Sequence, residues 1–279
     1  MPEPSMGCGA SKDVAAVGAH RVVPASNAEQ ARNICHAAVQ KAFPGAIRND
    51  DLMISIGRLT QRLGLSNDNT LFAHSTCPDE INQEEGDITL LLRDEFGEMF
   101  IMGGLAGIPF VGKTGFAAFS HHITDDGNLF ILFAPHVAVL ESGKVGYYNR
   151  VGQHTASTAC GAAMGAWAAV KDLESEPVVD AASPDYQMDF IKRGVWRQRA
   201  RIAAKPQPEV ELAFVVFELV RDMMLSIVNT EGLTHGKIVL LGGLQINATP
   251  EDYFLPLHCS VQTKADPSPK DALAQLLHL

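Results

Sequence analysis

Apolar residues recur at three- and four-residue spacing near the start of the chain, which is the spacing of one face of an α-helix. Residues 26–43 carry this pattern, with Ser26 placed to cap the helix and a Pro-Gly pair placed to end it. A second helix is expected over residues 50–63, which open with an acidic turn and repeat leucine and isoleucine at helical spacing. Cys35 lies on the apolar face of the first helix, so we assign it to packing.

Continuous apolar runs further along the chain predict buried strands. The most apolar run covers residues 129–134, and such a run between helical segments is typical of a central strand in a parallel α/β sheet. Residues 70–76 and 237–246 are expected to be strands as well, and residues 255–263 are a partner for the second of these. Shorter strands are predicted over residues 88–93, 99–106, 137–140 and 145–148.

Helices are expected to fill most of the remaining chain. They are predicted over residues 114–122, 186–202 and 208–229, from a cap at residue 157 or 158 to residue 170, and in a short segment at the C-terminus. Strands that alternate with helices, without an internal repeat or a long linker, indicate an α/β fold with a mostly parallel central sheet flanked by helices. Residues 1–25 have no periodicity and are expected to be an N-terminal arm, so that residues 26–279 form a single domain.

The charge and composition of the chain exclude several classes of function. The 279 residues carry a formal net charge of −10 and no basic stripe, which argues against a nucleic-acid partner. The longest apolar stretch, residues 212–228, is interrupted by charged residues, so no membrane span is expected. Widely spaced cysteines and a start without a secretory pattern indicate a reducing compartment, either the cytoplasm or an organellar stroma after processing. Met6, Gly7 and Cys8 would allow lipid attachment only if translation began at Met6.

Residues 107–114 satisfy the pattern G-x-x-x-x-G-K-[ST] of a phosphate-binding loop. The match is formal, because such a loop aims successive backbone N–H groups at the phosphate and Pro109 removes one of them. Ile108, Phe110 and Val111 also place bulky side chains where small residues are needed. No aspartate at the end of a later apolar strand is available to hold magnesium. A nucleotide site is therefore not favoured.

A loop that turns into a helix of small residues surrounds Cys160. Ser157 or Thr158 is placed to cap this helix, and Cys160 would lie in its first turn. Unpaired N–H groups and the helix dipole favour a thiolate at this position, which makes Cys160 either a metal ligand or a nucleophile. The alternative is a small buried apolar residue in a tightly packed helix.

Two further residues would join Cys160 at the edge of a parallel sheet. Cys77 follows the predicted strand at residues 70–76, and His136 follows the most apolar strand. The carboxyl ends of parallel strands converge on one edge, where ligands bind. Two thiolates and one imidazole leave a fourth position open on zinc, which is the pattern of catalytic zinc sites. Asp79 is either a fourth ligand or a hydrogen-bond acceptor for metal-bound water.

These residues lie in ordered motifs that run through most of the chain. The motifs are LFAHSTCPDEIN at residues 71–82, GKTGF at 112–116, FSHH at 119–122, DDG at 125–127, Pro135-His136, Gly152 and TACGA at 158–162. In this order they resemble the low-CO2-inducible LCIB/LCIC proteins of algae and their microbial relatives, over about residues 26–265. The resemblance implies a fold similar to the β-class carbonic anhydrases and a homodimer. It also implies zinc held by Cys77, His136 and Cys160, with Asp79 beside the metal. The pattern at residues 107–114 is then a family element that binds no nucleotide.

The function implied by this resemblance is the zinc-dependent, reversible hydration of CO2 to bicarbonate. Zinc lowers the pKa of its bound water from ~15.7 to about 7, and the resulting hydroxide attacks CO2 held in an apolar pocket. The β-class enzymes place an arginine two residues after the aspartate, and Ile81 occupies that position here. The partner of Asp79 must therefore come from elsewhere, and Arg150 and Arg93 are the candidates. That partner would pull Asp79 away from the zinc and open the site.

Proton transfer and two other functions complete the sequence-based hypotheses. His121, His122 and His154 are candidate proton shuttles, because histidine is the side chain that commonly transfers protons at physiological pH. One alternative function is a catalytically silent family member, whose closed or structural zinc site serves inorganic-carbon handling or protein assembly. The other is a thiol hydrolase that uses Cys160 and His154. The lack of an evident oxyanion-binding arrangement in the sequence argues against it.

Overall fold

The structure is a computed structural model that describes residues 25–228 and 235–277. The predicted N-terminal arm lies outside the described residues, apart from Ala25, and so does the lipid-attachment sequence at Met6. Within the described ranges, no helix is long and apolar enough to cross a membrane.

A sheet with four neighbouring parallel strands forms the centre of the molecule. In chain order the strands are β1 (Ile47–Arg48), β2 (Thr70–Thr76), β3 (Met99–Ile101), β4 (Asn128–Ala134), β5 (His136–Ala138), β6 (Tyr147–Tyr148), β7 (Ser157–Thr158), β8 (Lys237–Asn247), β9 (Tyr253–Thr263) and β10 (Asp266–Asp271). The main sheet has the order β1-β9-β8-β4-β2-β3, with β5 beside β8 and β10 beside β9. The strands β3, β2, β4 and β8 pair in parallel, β5 is parallel to β8, and β9 is antiparallel to it. The strands β6 and β7 form a separate antiparallel pair.

Helices cover both faces of this sheet. In chain order they are α1 (Ala25–Ala42), α2 (Asn49–Leu63), α3 (Ile88–Phe96), α4 (Gly112–Ser120), α5 (Gly161–Val170), α6 (Tyr186–Arg197), α7 (Arg199–Ala203), α8 (Pro208–Ile227) and α9 (Leu273–Leu277). Apolar side chains of α1, α5, α6 and α8 belong to one core cluster, and those of α2, α3 and α9 belong to another. Every residue of β4 is buried between these layers. The α/β class with a mostly parallel central sheet is therefore confirmed.

The strand predicted at residues 88–93 is wrong, because this segment is the first part of α3. Asp87 caps the helix: its Oδ1 accepts a hydrogen bond from the backbone N–H of Thr89 at 2.8 Å. Ile88, Leu92 and Phe96 then follow at helical spacing and are buried in one core cluster. A short apolar run fits either period, and the capping aspartate is the signal that favours the helix.

Close backbone packing shortens the strand predicted at residues 99–106. The strand β3 ends at Ile101, and Gly103 follows two residues later. A Cβ atom at Gly103 would stand 2.3 Å from the carbonyl oxygen of Thr76, so the chain lies directly against the end of β2. This contact places the loop after β3 beside the residue that precedes Cys77.

Other predicted elements are present with different limits. Residues 137–148 do not form a regular hairpin, because β5 pairs with β8 and a single bridge joins Val139 to Val145. The helix predicted over residues 186–202 is divided into α6 and α7. The predicted pairing of residues 255–263 with the preceding strand is confirmed. The strand β9 begins two residues earlier than predicted, at Tyr253.

Asp87 is a buried carboxyl group that also joins α3 to the sheet. It is fully buried, and the Nε2 group of Gln245 in β8 donates a hydrogen bond to its Oδ2. Burial raises the pKa of Asp87 to about 7, and the negative charge of Asp252 adds to this effect, whereas the N–H group of Thr89 opposes it. The same carboxyl group has a pKa of about 3.9 in an unfolded chain.

We expect Asp87→Asn to change how the free energy of unfolding depends on pH. The folded pKa lies above the unfolded one, so the unfolded chain releases the proton first as the pH rises. The contribution of Asp87 to wild-type stability should therefore fall by about 1.4 kcal/mol per pH unit between about pH 4 and pH 7 and then stay constant. Asparagine caps a helix as well as aspartate does and cannot ionise, so the variant should lack this slope.

Urea unfolding of both proteins at about pH 5 and about pH 8 measures this effect. The variant should gain stability relative to the wild type as the pH rises. A difference between the two proteins that stays constant over this range would contradict the assigned protonation of Asp87.

Candidate metal centre

Three residues from distant parts of the chain meet at the carboxyl edge of the parallel strands. Cys77 follows β2, His136 begins β5 and Cys160 precedes α5. All three side chains are buried, and their potential ligand atoms lie within 4.8 Å of one another. The Sγ atoms of Cys77 and Cys160 are 3.8 Å apart. The structure thus brings together the three residues that the sequence suggests as metal ligands.

The register of the parallel strands places two of these residues at the same level. Thr76, the last residue of β2, pairs with Ala134, the last residue of β4. Cys77 and Pro135 are therefore the first residues beyond the two strand ends. Pro135 separates β4 from β5, and β5 then pairs with the end of β8. His136 is consequently held inside a short strand and not in a free loop.

Cys160 occupies the N-cap position of α5, one residue before the predicted place in the first turn. Ser157 and Thr158 do not cap this helix, because they form β7 and pair with β6. Contact with the Cys77 thiol lowers the pKa of Cys160, and hydrogen bonds from the N–H groups of Ala163 and Ala162 lower it further, whereas burial opposes them. The same contact and burial raise the pKa of Cys77.

His136 presents one hydrogen-bonded nitrogen and one free nitrogen. Its Nδ1 lies 2.9 Å from Oδ1 of Asn247. Its Nε2 is buried without a hydrogen-bond partner among the described residues. Burial alone lowers the pKa of His136, but the Cys77 sulfur, Asn247 and Asp79 together raise it. A buried, unpaired imidazole nitrogen beside two sulfur atoms is a donor set that suits zinc.

Asp79 is paired with Arg150 at the side of these three residues. The Nη2 group of Arg150 lies 3.0 Å from Oδ1 and 2.8 Å from Oδ2 of Asp79. Oδ2 also lies 3.6 Å from Nε2 of His136. Burial would raise the pKa of Asp79, but the charges of His136 and Arg150 lower it overall. Arg93, the other candidate partner, is bonded to its neighbour Asp94 instead.

Arg150 is itself fixed by three further contacts. Its Nε donates to Oε1 of Glu80 at 2.7 Å. Its Nη1 donates to Oγ of Ser157 at 2.6 Å and to the carbonyl oxygen of Thr158 at 3.1 Å. Ser157 and Thr158 lead directly to Cys160, and Glu80 follows Asp79. The guanidinium group therefore connects the two segments that carry the cysteines.

The three candidate proton shuttles lie on the surface. His121 and His122 follow α4 and are exposed, and the ring of His122 packs edge-on against Phe100 with 6.0 Å between the ring centroids. His154 is exposed in the segment before β7. Within the described part of the chain, no hydrogen bond or ion pair joins any of them to the ligand residues. Their role in proton transfer stays a prediction.

The loop that matches the phosphate-binding pattern uses its N–H groups internally. The N–H groups of Phe110 and Gly112 donate to carbonyl oxygens within the loop, and those of Gly107 and Ile108 donate to the turn just before it. The carbonyl oxygen of Gly107 accepts a hydrogen bond from Oγ of Ser75 in β2 at 2.8 Å. The loop is therefore packed against the sheet and does not aim a row of N–H groups at an anion.

Sequence reasoning missed Asn247, Glu80 and Ser157. Asn247 directly follows the strand predicted at residues 237–246, and a polar residue at a carboxyl end is a signal that could have identified it. Glu80 and Arg150 are 70 residues apart in the chain, so no local pattern links them. Ser157 was interpreted as a helix cap, although its hydroxyl group binds Arg150.

Family comparison agrees with this geometry. Residues 46–263 match the family model of the limiting CO2-inducible proteins B/C beta carbonic anhydrases. The chain belongs to this family. It is similar to the crystal structure of PtLCIB4, a homolog of the limiting CO2-inducible protein LCIB, with 28% identity, a TM-score of 0.76, and coverage of 85% of this chain and 98% of that one.

The fold extends to LCIB itself. The crystal structure of the limiting CO2-inducible protein LCIB is 21% identical, with a TM-score of 0.61 and coverage of 81% of this chain and 94% of that one. No protein among the curated proteins matches this chain in sequence. The resemblance to the LCIB/LCIC family that the ordered motifs indicate is confirmed, and with it a fold of the carbonic-anhydrase-like type.

We expect the purified protein to bind stoichiometric zinc through its two neighbouring cysteines. Cys77→Ser and Cys160→Ser should each weaken zinc binding by more than ~100-fold, because each variant removes a thiolate from the donor set. Cys259→Ser is the matched control, since Cys259 is equally buried but belongs to the core cluster on the other face of the sheet. Zinc per chain, measured by atomic spectroscopy after gel filtration, tests this prediction. Equal zinc in all four proteins would exclude the assigned ligands.

Proposed function

We propose that this chain is a zinc-dependent carbonic anhydrase that catalyses the reversible hydration of CO2 to bicarbonate. The observation that supports this function best is the buried Cys77, His136 and Cys160 donor set beside the Asp79–Arg150 pair. Two thiolates and one imidazole would hold zinc with a fourth position open. When bound, zinc supplies hydroxide near neutral pH, because it lowers the pKa of water from ~15.7 to about 7.

Asp79 would act beside the metal as an ionised hydrogen-bond acceptor. Both of its carboxylate oxygens lie within hydrogen-bond distance of Arg150, which holds the group toward the arginine. Asp79 is not part of the donor set that meets within 4.8 Å. Because Glu80 and Ser157 fix Arg150, the pair is already oriented before substrate binds. Asp79 can therefore orient the attacking oxygen and accept a hydrogen bond from it.

Apolar side chains lie close to the ligand residues along the chain. Ile81, Ala138, Tyr148 and Ala159 form a small buried cluster of their own. Ile81 lies two residues after Asp79, Ala138 two residues after His136, and Ala159 directly before Cys160. Such a cluster excludes water and favours an uncharged, apolar substrate over its charged product.

The assembly in this proposal follows from the family resemblance, and the compartment follows from the widely spaced cysteines. We infer a homodimer, with CO2 and bicarbonate as the substrates, in the cytoplasm or in an organellar stroma. The alternative function is a catalytically silent member with a closed zinc site. The distance of 3.6 Å between Oδ2 of Asp79 and Nε2 of His136 favours this alternative, since a small rotation of the carboxylate would bring it to the metal.

We expect the zinc-loaded protein to hydrate CO2 at a rate that follows its zinc content. Cys160→Ser should abolish the activity because it removes a ligand, and Cys259→Ser should keep it. Stopped-flow measurement with a pH indicator, on samples of known zinc content, tests this prediction. Stoichiometric zinc without hydration at mildly acidic or alkaline pH would reject the enzyme and favour the closed site.

The Asp79–Arg150 pair should control the activity more strongly than a surface arginine does. Arg150→Met should lower kcat/KM by roughly 10²-fold, since it removes the preorganised partner of Asp79. Arg93→Met is the control, because the side chain of Arg93 binds its exposed neighbour Asp94 and, among the described residues, none of the ligand residues. If movement of Asp79 opens the site as the pH rises, the activity should increase with pH. Asp79→Asn should then remove this increase. Equal rates for both arginine variants, or an unchanged pH profile in Asp79→Asn, would rule out this role.

A further inference from the structure

The amide of Asn247 joins the candidate metal centre to the neighbouring strand. Asn247 is the last residue of β8 and is 1% exposed. Its Oδ1 lies 2.9 Å from Nδ1 of His136, and its Nδ2 lies 3.4 Å from the carbonyl oxygen of Ile81. Its own carbonyl oxygen accepts a hydrogen bond from the N–H group of Val139 at 3.0 Å. The backbone and the side chain of Asn247 are therefore both held in place.

The contact with Ile81 decides which way this amide faces. A backbone carbonyl oxygen can only accept a hydrogen bond, so the side of the amide that faces Ile81 must be the NH2 group. The carbonyl oxygen Oδ1 then faces His136. Because Oδ1 has no proton to donate, Nδ1 of His136 must carry the proton in this hydrogen bond. Nε2 is left with its lone pair, and it is the nitrogen without a partner in the described chain.

We propose that Asn247 is a positioning residue that fixes His136 in the Nδ1–H tautomer and so makes Nε2 the metal-binding nitrogen. This inference rests on the metal site of the proposed function. The proton acceptor for a ligand histidine is commonly a carboxylate or a backbone carbonyl, and here a buried side-chain amide takes that place. The orientation of the amide is set in turn by a backbone group of another segment.

The same amide also couples two of the ligand-bearing segments. Ile81 belongs to the short 3-10 turn Glu80–Gln83, which Asp79 caps by accepting a hydrogen bond from the N–H group of Ile81. Asn247 therefore connects the turn after Cys77 to the strand that begins with His136. Movement of this turn would change the orientation of the amide and, through it, the position of the imidazole.

The tautomer can be measured directly by long-range proton–nitrogen NMR on protein labelled with 15N-histidine. We expect the His136 signals, assigned by their loss in His136→Gln, to report a protonated Nδ1 and an unprotonated Nε2. The measurement is made on reduced, metal-free wild-type protein at a pH where titration of the same signals shows a neutral ring, and is repeated after zinc addition. A proton on Nε2 in the metal-free protein would overturn the proposal. This test needs no variant, so it holds even if substitutions at Asn247 impair folding.

Zinc affinity, measured by competition with a chelator, gives a second and independent test. Asn247→Leu should weaken zinc binding by about 10–100-fold, which is the usual effect of removing the partner of a ligand histidine. Asn247→Asp should recover much of this loss, because its carboxylate still accepts the proton of Nδ1. Gln245→Leu is the matched control: Gln245 is a fully buried amide of the same strand, but it binds Asp87 and not a ligand. An equal loss in Asn247→Leu and Gln245→Leu would indicate a merely structural amide and would reject the proposal.

Neither measurement involves CO2. A protein that binds zinc with the expected tautomer but does not hydrate CO2 would contradict the proposed function and would support this inference. Conversely, an active enzyme whose zinc affinity is unchanged by Asn247→Leu would contradict this inference but not the proposed function.

Discussion

The parallel pairing of β2 with β4 is the constraint on which the candidate site depends. The register runs without a break from Thr70 opposite Asn128 to Thr76 opposite Ala134, so both strands end at one level. Backbone hydrogen bonds between the strands, and not side-chain contacts, therefore place Cys77 and the Pro135-His136 pair at the carboxyl edge of the sheet. The next strand, β8, extends past this edge and provides the pairing for β5 and the position of Asn247. A one-residue change of register would direct these side chains to the opposite face of the sheet.

The polar groups at this edge form a donor set that suits a cation. Nε2 of His136 is buried without a partner in the described chain, and the sulfur atoms of Cys77 and Cys160 face each other at 3.8 Å. An unpaired buried donor or acceptor costs about 1–3 kcal/mol, and a bound cation would satisfy all three groups at once. The N–H groups of Ala162 and Ala163 already direct a hydrogen bond to the Cys160 sulfur. These N–H groups favour a thiolate at Cys160, which is the form that binds a metal ion.

Sequence patterns could predict the parts of this arrangement that depend on local signals. The run at residues 129–134 indicates a buried strand because no polar residue interrupts it, and cysteine and histidine at strand ends indicate ligands by their chemistry. Three features could not be read in this way. The α3 segment is too short for its period to be decisive, so only the Asp87 cap distinguishes a helix from a strand. Arg150 and Arg93 are equivalent as charges in the sequence, and only the β6–β7 pairing brings Arg150 to Asp79. The role of Asn247 depends on a contact with His136 across 111 residues.

The position of Arg150 explains how this chain can dispense with an arginine two residues after Asp79. Ile81 occupies that place, and its side chain joins the small apolar cluster while its carbonyl oxygen orients Asn247. The guanidinium group comes instead from the segment that leads to Cys160, where Ser157 and Thr158 bind it. Its contact with Glu80 anchors the other side, next to Asp79. Asp79 thus lies between a fixed arginine at 2.8 Å and the nitrogen of His136 at 3.6 Å. Because the segment that carries Arg150 also carries Cys160, any shift of Cys160 would alter how the guanidinium group holds Asp79.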